Sequence, residues 1–356
     1  LELRDEDGRG VSRAIGNVNE IIAPKLIGKD PSNQRELDDT MLALDGTPNK
    51  SKLGANAILP VSMAICRAGA AAKKMPLYKH IADIAMSDIA MPFPCFNFLE
   101  GGRHAEGKNS MELQEFMVII ENKTFQENLV LGSKIFGNFS EMIKKNYGVD
   151  APISDEGAFA PEISKVEPIL MMLKNAIGDF RARIALDCAA SEFYKDGKYT
   201  LEKKELSRDQ LLDFYKDIVA RFPIISIEDG FAEEDWVGFQ EIRKVLPETI
   251  IIGDDLTTTN IIKIKEAESK KACNGIIIKV NQIGTVSETI EAVNLAKSYG
   301  WKIMVSHRSG ETMDDFIADL AVGVGADFIK SGAYTKDVRI VKYDRLLAIE
   351  RELSKK

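Results

Sequence analysis

Six apolar runs in the second half of the chain each deliver a side chain that can ionise: ARIALD ends on Asp187, IISIED carries Glu228, TIIIGDD carries Asp254, GIIIKV carries Lys279, KIMVSH ends on His307 and DFIKSG carries Lys330. An isolated acid at a strand end is usually a cap, but capping would place Ser, Asn and Gly there as often as acids and lysines. Three carboxylates from consecutive runs would repel one another, and a hard divalent cation resolves that repulsion. All-oxygen ligation favours Mg2+ or Mn2+ over zinc, which points to Mg2+ held by Asp187, Glu228 and Asp254.

The later runs bring positive charge to the other side of the same pocket, as a small polyanion requires. Arg308 presents a fork that fits a phosphate, and Lys330 supplies a point charge for a carboxylate. A lysine among cations has its neutral form favoured, which suits Lys279 as a general base. Taking a proton from beside a carboxylate creates an unstable dianion, and a metal on that carboxylate is the remedy. The leaving hydroxyl then needs an acid, and Glu156 in SDEGAFAP is the candidate.

The elements that position these groups follow from their spacing. The six ionisable residues are 41, 26, 25, 28 and 23 residues apart, about one strand, one helix and two loops per step. Runs apolar on both faces fit a closed (β/α) barrel, whose functional groups gather at the C-terminal strand ends. Residues 1–90 read instead as helices, among them VSRAIGNVNEIIAPKLI, ELDDTMLALDG with its glycine stop, and GANAILPVSMAICRAGAAAKKM. The chain therefore divides near residue 90 into a small domain, 1–90, and a barrel, 91–356.

Composition limits the function class. The 356 residues are 45% hydrophobic with net charge −8, and no long basic stripe appears, which argues against nucleic-acid binding. No run of eighteen or more apolar residues is present, so no membrane span is expected, and a cytoplasmic enzyme is the default. Cys66, Cys95, Cys188 and Cys273 lack CxxC spacing and read as reduced core residues.

With these residues in view, the sequence resembles the enolase family. The matching stretches are DGTPNKSKLGANAIL, LQEFM, SDEGAFAP, ALDCAASEFYKDGKY, ISIED, GDDLTTTN, KVNQIG and SHRSGET, in order over nearly the whole chain. A lysine base beside one or two Mg2+ is the known arrangement of enolase-superfamily sites. The resemblance implies an α/β fold, a modified (β/α)8 TIM-type barrel preceded by a smaller α+β domain that is N-terminally incomplete in this sequence. It implies a homodimer that interconverts 2-phosphoglycerate and phosphoenolpyruvate with two Mg2+. It makes Asp187, Glu228 and Asp254 the ligands of the tighter metal, Lys279 the base and Glu156 the acid, with Glu115 working beside it. Arg308 and Ser309 would contact phosphate, Lys330 the substrate carboxylate, and His104 and His307 would be the two site histidines.

Departures from the family pattern set further expectations. The loop of the form SGASTG, whose serine ligates the second Mg2+, belongs ahead of LELRD and is not in this sequence. The stretch between His104 and Glu115 is two residues longer than the pattern, and Ala158 stands where a second glycine is usual, which disfavours a positive φ. One alternative is a non-catalytic or weakly active homologue acting as a plasminogen-type binding protein through Lys355 and Lys356. Another is an acid-sugar dehydratase of the same superfamily, whose KxK base pair is replaced here by Arg181, Ala182 and Arg183.

Overall fold

The computed structural model describes residues 1–6, 8–105, 111–148 and 151–355. Eight strands close into a barrel: β1 (Phe93–Glu100), β2 (Glu115–Ile120), β3 (Ala182–Asp187), β4 (Ile224–Glu228), β5 (Ile250–Gly253), β6 (Gly275–Ile278), β7 (Lys302–Ser306) and β8 (Phe328–Lys330). Strands β3 to β8 are the six runs read from the sequence. β1 pairs parallel with β8, but β2 is antiparallel to both β1 and β3, so this is a modified barrel rather than a regular alternation.

That reversal decides where Glu115 goes. Because β2 runs the other way, its first residue lies at the rim where the parallel strands end. Glu115 is in register with Glu100 on one side and Asp187 on the other, and Asp187 is in register with Glu228. Four carboxylates on neighbouring strands therefore share one edge.

The barrel is filled by a layer drawn from all its strands, Cys95, Met117, Ala185, Ile225, Ile252, Ile277, Met304 and Phe328. A larger cluster packs the outer strand faces against the surrounding helices. Burying each large aliphatic or aromatic side chain contributes about 1.5–3 kcal/mol, which offsets the cost of desolvating the charged rim. All four cysteines are free and buried, as read from the sequence.

Among its described residues the small domain holds helices joined by turns, with no strand before Phe93. Ser12–Gly16 continues through a π-helical turn, Asn17–Ile22, into Ala23–Leu26, and Gln34–Asp45, Ala55–Ala72 and Leu77–Ala85 follow. Gly46, at φ 69°, ends the second of these segments, as its glycine stop predicts. Met41, Leu53, Ala57 and Ile58 form its core. Ala55–Ala72 has the length and apolarity of a membrane span, yet it contributes Ala57, Ile58 and Ile65 to that core and Cys66 to the barrel cluster.

Candidate active site

The C-terminal rim encloses a cavity of about 350 Å3. Asp187, Asp254, Lys279, His307 and Lys330 reach it from strand ends or the residues just after them. Glu115 reaches it from the start of β2, His104 from the 3-10 turn Gly102–Ala105, and Glu156, Arg308 and Ser309 from loops. Glu228 does not line the cavity; it is buried beneath, joined to Lys330.

One wall is a lysine among acids. Lys330 Nζ lies 2.6 Å from Glu115 Oε2, 2.9 Å from Asp187 Oδ2 and 3.0 Å from Glu228 Oε2. Burial works against its charge, but Asp187, Glu115 and Glu228 outweigh that and hold the ammonium well above its ordinary pKa. Beside it Lys279 is bonded to Asp254, which also accepts from Gln282 Nε2 at 3.0 Å.

The proposed metal set is divided, with Asp187 and Glu228 facing Lys330 and Asp254 facing Lys279. Among the described residues, the groups whose ligating atoms lie within 4.8 Å of one another are Glu100, His104, Glu115 and Glu156, and Asp229, Asp254 and Asp255. Lys279 also differs from the near-neutral base expected of it: burial lowers its pKa, but the adjacent Asp254 raises it further, and the net direction is up. In both cases an ammonium group supplies part of the counter-charge that the carboxylates require.

The donor chemistry still fits a divalent cation. Burial, then Asp187, pushes Glu228 well above the usual carboxylate range, and burial, then Asp254 and Asp255, does the same to Asp229. Such a surplus of buried oxygen donors is what a hard cation relieves. Cys188, next in the chain to Asp187, packs into the outer core and offers no competing sulfur.

The other wall is a connected polar group. His307 Nε2 is 3.1 Å from Glu156 Oε2, and Ser309 Oγ donates to Glu156 Oε1 at 2.9 Å while lying 2.9 Å from His104 Nε2. His104 Nδ1 is 3.4 Å from Glu115 Oε1. Burial lowers the His104 pKa, but Glu115 and Glu156 outweigh it and raise it to about 9. Burial pushes Glu156 up, and His307, His104 and Arg339 bring it well below its ordinary value. Arg308 is exposed at the mouth.

The loop carrying Glu156 is fixed by its backbone. Gly157 takes φ +86°, and an added Cβ would collide with Thr335, whose Oγ1 donates to the Gly157 carbonyl at 2.8 Å. Ala158 stays outside the positive-φ region, as its side chain requires. Of the long stretch between His104 and Glu115, residues 106–110 lie outside the described residues, as does the terminal Lys356.

Several residues around the site are not among those read from the sequence. Glu100 and Asn97 on β1 join Glu156, and the Asp229 carboxylate accepts from the backbone of Asp254 and Asp255. Arg339 binds the His307 turn. Doubled acids in IED and GDD were a readable signal for Asp229 and Asp255; Arg339, inside the helix Asp337–Leu353, has no local signal.

Comparison with known proteins agrees with this fold. The description "Enolase, C-terminal TIM barrel domain" matches residues 88–356, and "Enolase, N-terminal domain" matches residues 1–81. The chain belongs to the enolase family. A curated enolase from Solanum lycopersicum is 47% identical over 380 residues, covering 99% of this chain and 85% of that protein. Membership makes the chain an enzyme of the phosphopyruvate hydratase type, a lyase. The acid-sugar dehydratase alternative has no support at β3, where Arg183 pairs with Glu121 at 2.7 Å, near the strand end opposite Asp187.

Proposed function

We propose that this enolase-family chain catalyses the reversible, Mg2+-dependent dehydration of 2-phosphoglycerate to phosphoenolpyruvate, with Lys279 as base and Glu156 as acid. The observation that carries the reading is that Lys279 and Glu156 open into one cavity of about 350 Å3, with carboxylates on one wall and Arg308 at the mouth. Asp187, Glu228 and Asp254 would hold Mg2+, which when bound neutralises negative charge on the substrate carboxylate.

Lys279 acts once its Nζ is released from Asp254, taking the proton from C2. The C3–O bond then breaks, and the hydroxide leaves as water with a proton from Glu156. In hydration the same groups exchange roles, and the ionised Glu156 favoured by its neighbours is the form that receives a proton. Arg308 and Ser309 would bind the phosphate, Lys330 the substrate carboxylate, and Glu115, His104 and His307 would orient Glu156. A second Mg2+ in the family pattern takes its serine from a segment not included in this sequence. We further propose, on the resemblance, a cytoplasmic homodimer with domains 1–90 and 91–356.

The test separates the two proton steps. With Mg2+, 2-phosphoglycerate and D2O, Lys279→Ala is expected to lose both C2 hydrogen exchange and turnover by about 10²–10⁴-fold. Glu156→Gln is expected to lose turnover while C2 exchange continues. Exchange persisting in Lys279→Ala would overturn the assignment of the base.

A further inference from the structure

We propose that Arg339 is a positioning residue that fixes the tautomer of His307, leaving Nδ1 without a proton and aiming the Nε2 proton at Glu156. Arg339 is 1% exposed and stands in the first turn of the helix Asp337–Leu353, where the helix dipole disfavours a cation. Its place there depends on its contacts. Nη1 donates to His307 Nδ1 and to the Arg308 carbonyl at 2.8 Å, and Nη2 donates to the Ser309 carbonyl at 2.7 Å and the Asp155 carbonyl at 3.4 Å.

A guanidinium has donors and no acceptor, and it does not lose its proton in proteins. His307 Nδ1 must therefore accept, and it carries no hydrogen. The ring proton is left on Nε2, which lies 3.1 Å from Glu156 Oε2, within reach of a charge-assisted bond. A hydrogen on Nδ1 would set an N–H against the guanidinium.

His104 has the opposite surroundings. The single hydrogen of Ser309 Oγ goes to Glu156, so His104 Nε2 donates to that hydroxyl, and its Nδ1 faces Glu115 and Glu156 carboxylates at 3.4 and 3.7 Å. That ring accommodates both protons. The two histidines on Glu156 thus differ: His307 contributes a directed hydrogen bond, and His104 a charge. Arg339 also ties the turn 307–309 to the loop of Glu156 through the Asp155 carbonyl, so one side chain sets both the ring and its distance from the acid.

The inference rests on the reading of Glu156 and His307 as site groups, but its test does not depend on turnover. The chain has three histidines, so 15N-histidine labelling gives a spectrum in which His307 is assigned by its loss in His307→Gln. The intact enzyme is expected to show His307 as the Nε2–H tautomer alone. Arg339→Met is expected to show mixed His307 tautomers and a kcat lower by about tenfold or more with little change in KM. Arg339→Lys, which keeps a donor, should restore part of both. A His307 found with hydrogen on Nδ1 in the intact enzyme overturns the proposal even if Arg339→Met fails to fold. An unchanged tautomer in folded Arg339→Met overturns it as well. C2 exchange persisting in Lys279→Ala would instead sink the reading of the reaction and leave the tautomer result standing.

Discussion

Glu100 is a carboxyl placed among carboxyls. It ends β1, buried, with Asn97 Nδ2 donating to its Oε1 at 2.7 Å, and burial, then Glu156 and Glu115, push it to about 9. In the unfolded chain its pKa returns to the ordinary value of 4.5. The folded state therefore binds this proton more tightly, so its contribution is most favourable below the unfolded value and is lost as pH rises towards about 9. Glu100→Gln keeps the acceptor for Asn97 and removes the titration. Calorimetry at pH 8 should show it melting above the parent, with the gap shrinking at pH 5; a pH-independent gap would contradict the assignment. Glu100 was hidden in the sequence because its strand was not recognised, whereas Asp187, Glu228, Asp254, Lys279, His307 and Lys330 were legible because each closes a short, mostly apolar run.

At the scale of elements, the same contrast holds for β1 and β2. Among the described residues only a 3-10 turn, Gly102–Ala105, lies between them, and they run antiparallel, so the βα alternation that exposes β3 to β8 has no α-helical step among the described residues there. The convergence of the rim was readable; the lysine–carboxylate pairs that form across it were not, because spacing along a chain does not specify which neighbour a buried ammonium selects. Glycines in the rim loops make a related point. Gly332, two residues after Lys330, has φ +72°, and an added Cβ would lie 2.8 Å from the Glu156 carbonyl and 3.2 Å from Arg339 Cδ. Alanine there meets both backbone strain and a clash with the loop that carries the acid, a cost of about 1–3 kcal/mol. Gly332→Ala should lower the melting temperature and reduce kcat more than it raises KM. Unchanged kinetics would show that the two loops adjust independently.

Across the whole molecule, the small domain holds the segment that follows Lys279. After β6 the chain makes a short helix, Val280–Ile283, turns at Gly284 and enters the helix Val286–Ser298, whose first amides have no partners within it. Thr285 Oγ1 takes the Glu288 amide at 3.1 Å, but the small domain takes the others: Ser62 Oγ accepts from Val286 at 2.9 Å and Asp38 Oδ2 from Ser287 at 3.0 Å. Lys50 Nζ adds a pair to Glu288 at 3.0 Å. Asp38 is fully buried and is held in turn by Gln34, so the small domain supplies a cap to a barrel helix one short turn beyond the proposed base. Removing it leaves the buried Ser287 amide without its acceptor and takes one partner from Gln34, whose Nε2 keeps the Ser62 carbonyl at 3.1 Å. Asp38→Ala should therefore cost about 2–3 kcal/mol, more than an exposed cap, and lower the melting temperature by several degrees. Asp38→Asn, which retains one oxygen for the Ser287 amide, should recover part of that loss. If the cap also keeps Lys279 in register, C2 exchange will fall in Asp38→Ala and return in step with stability in Asp38→Asn. Exchange at the parent rate in a destabilised Asp38→Ala would mean that the small domain secures the helix without setting the position of the lysine.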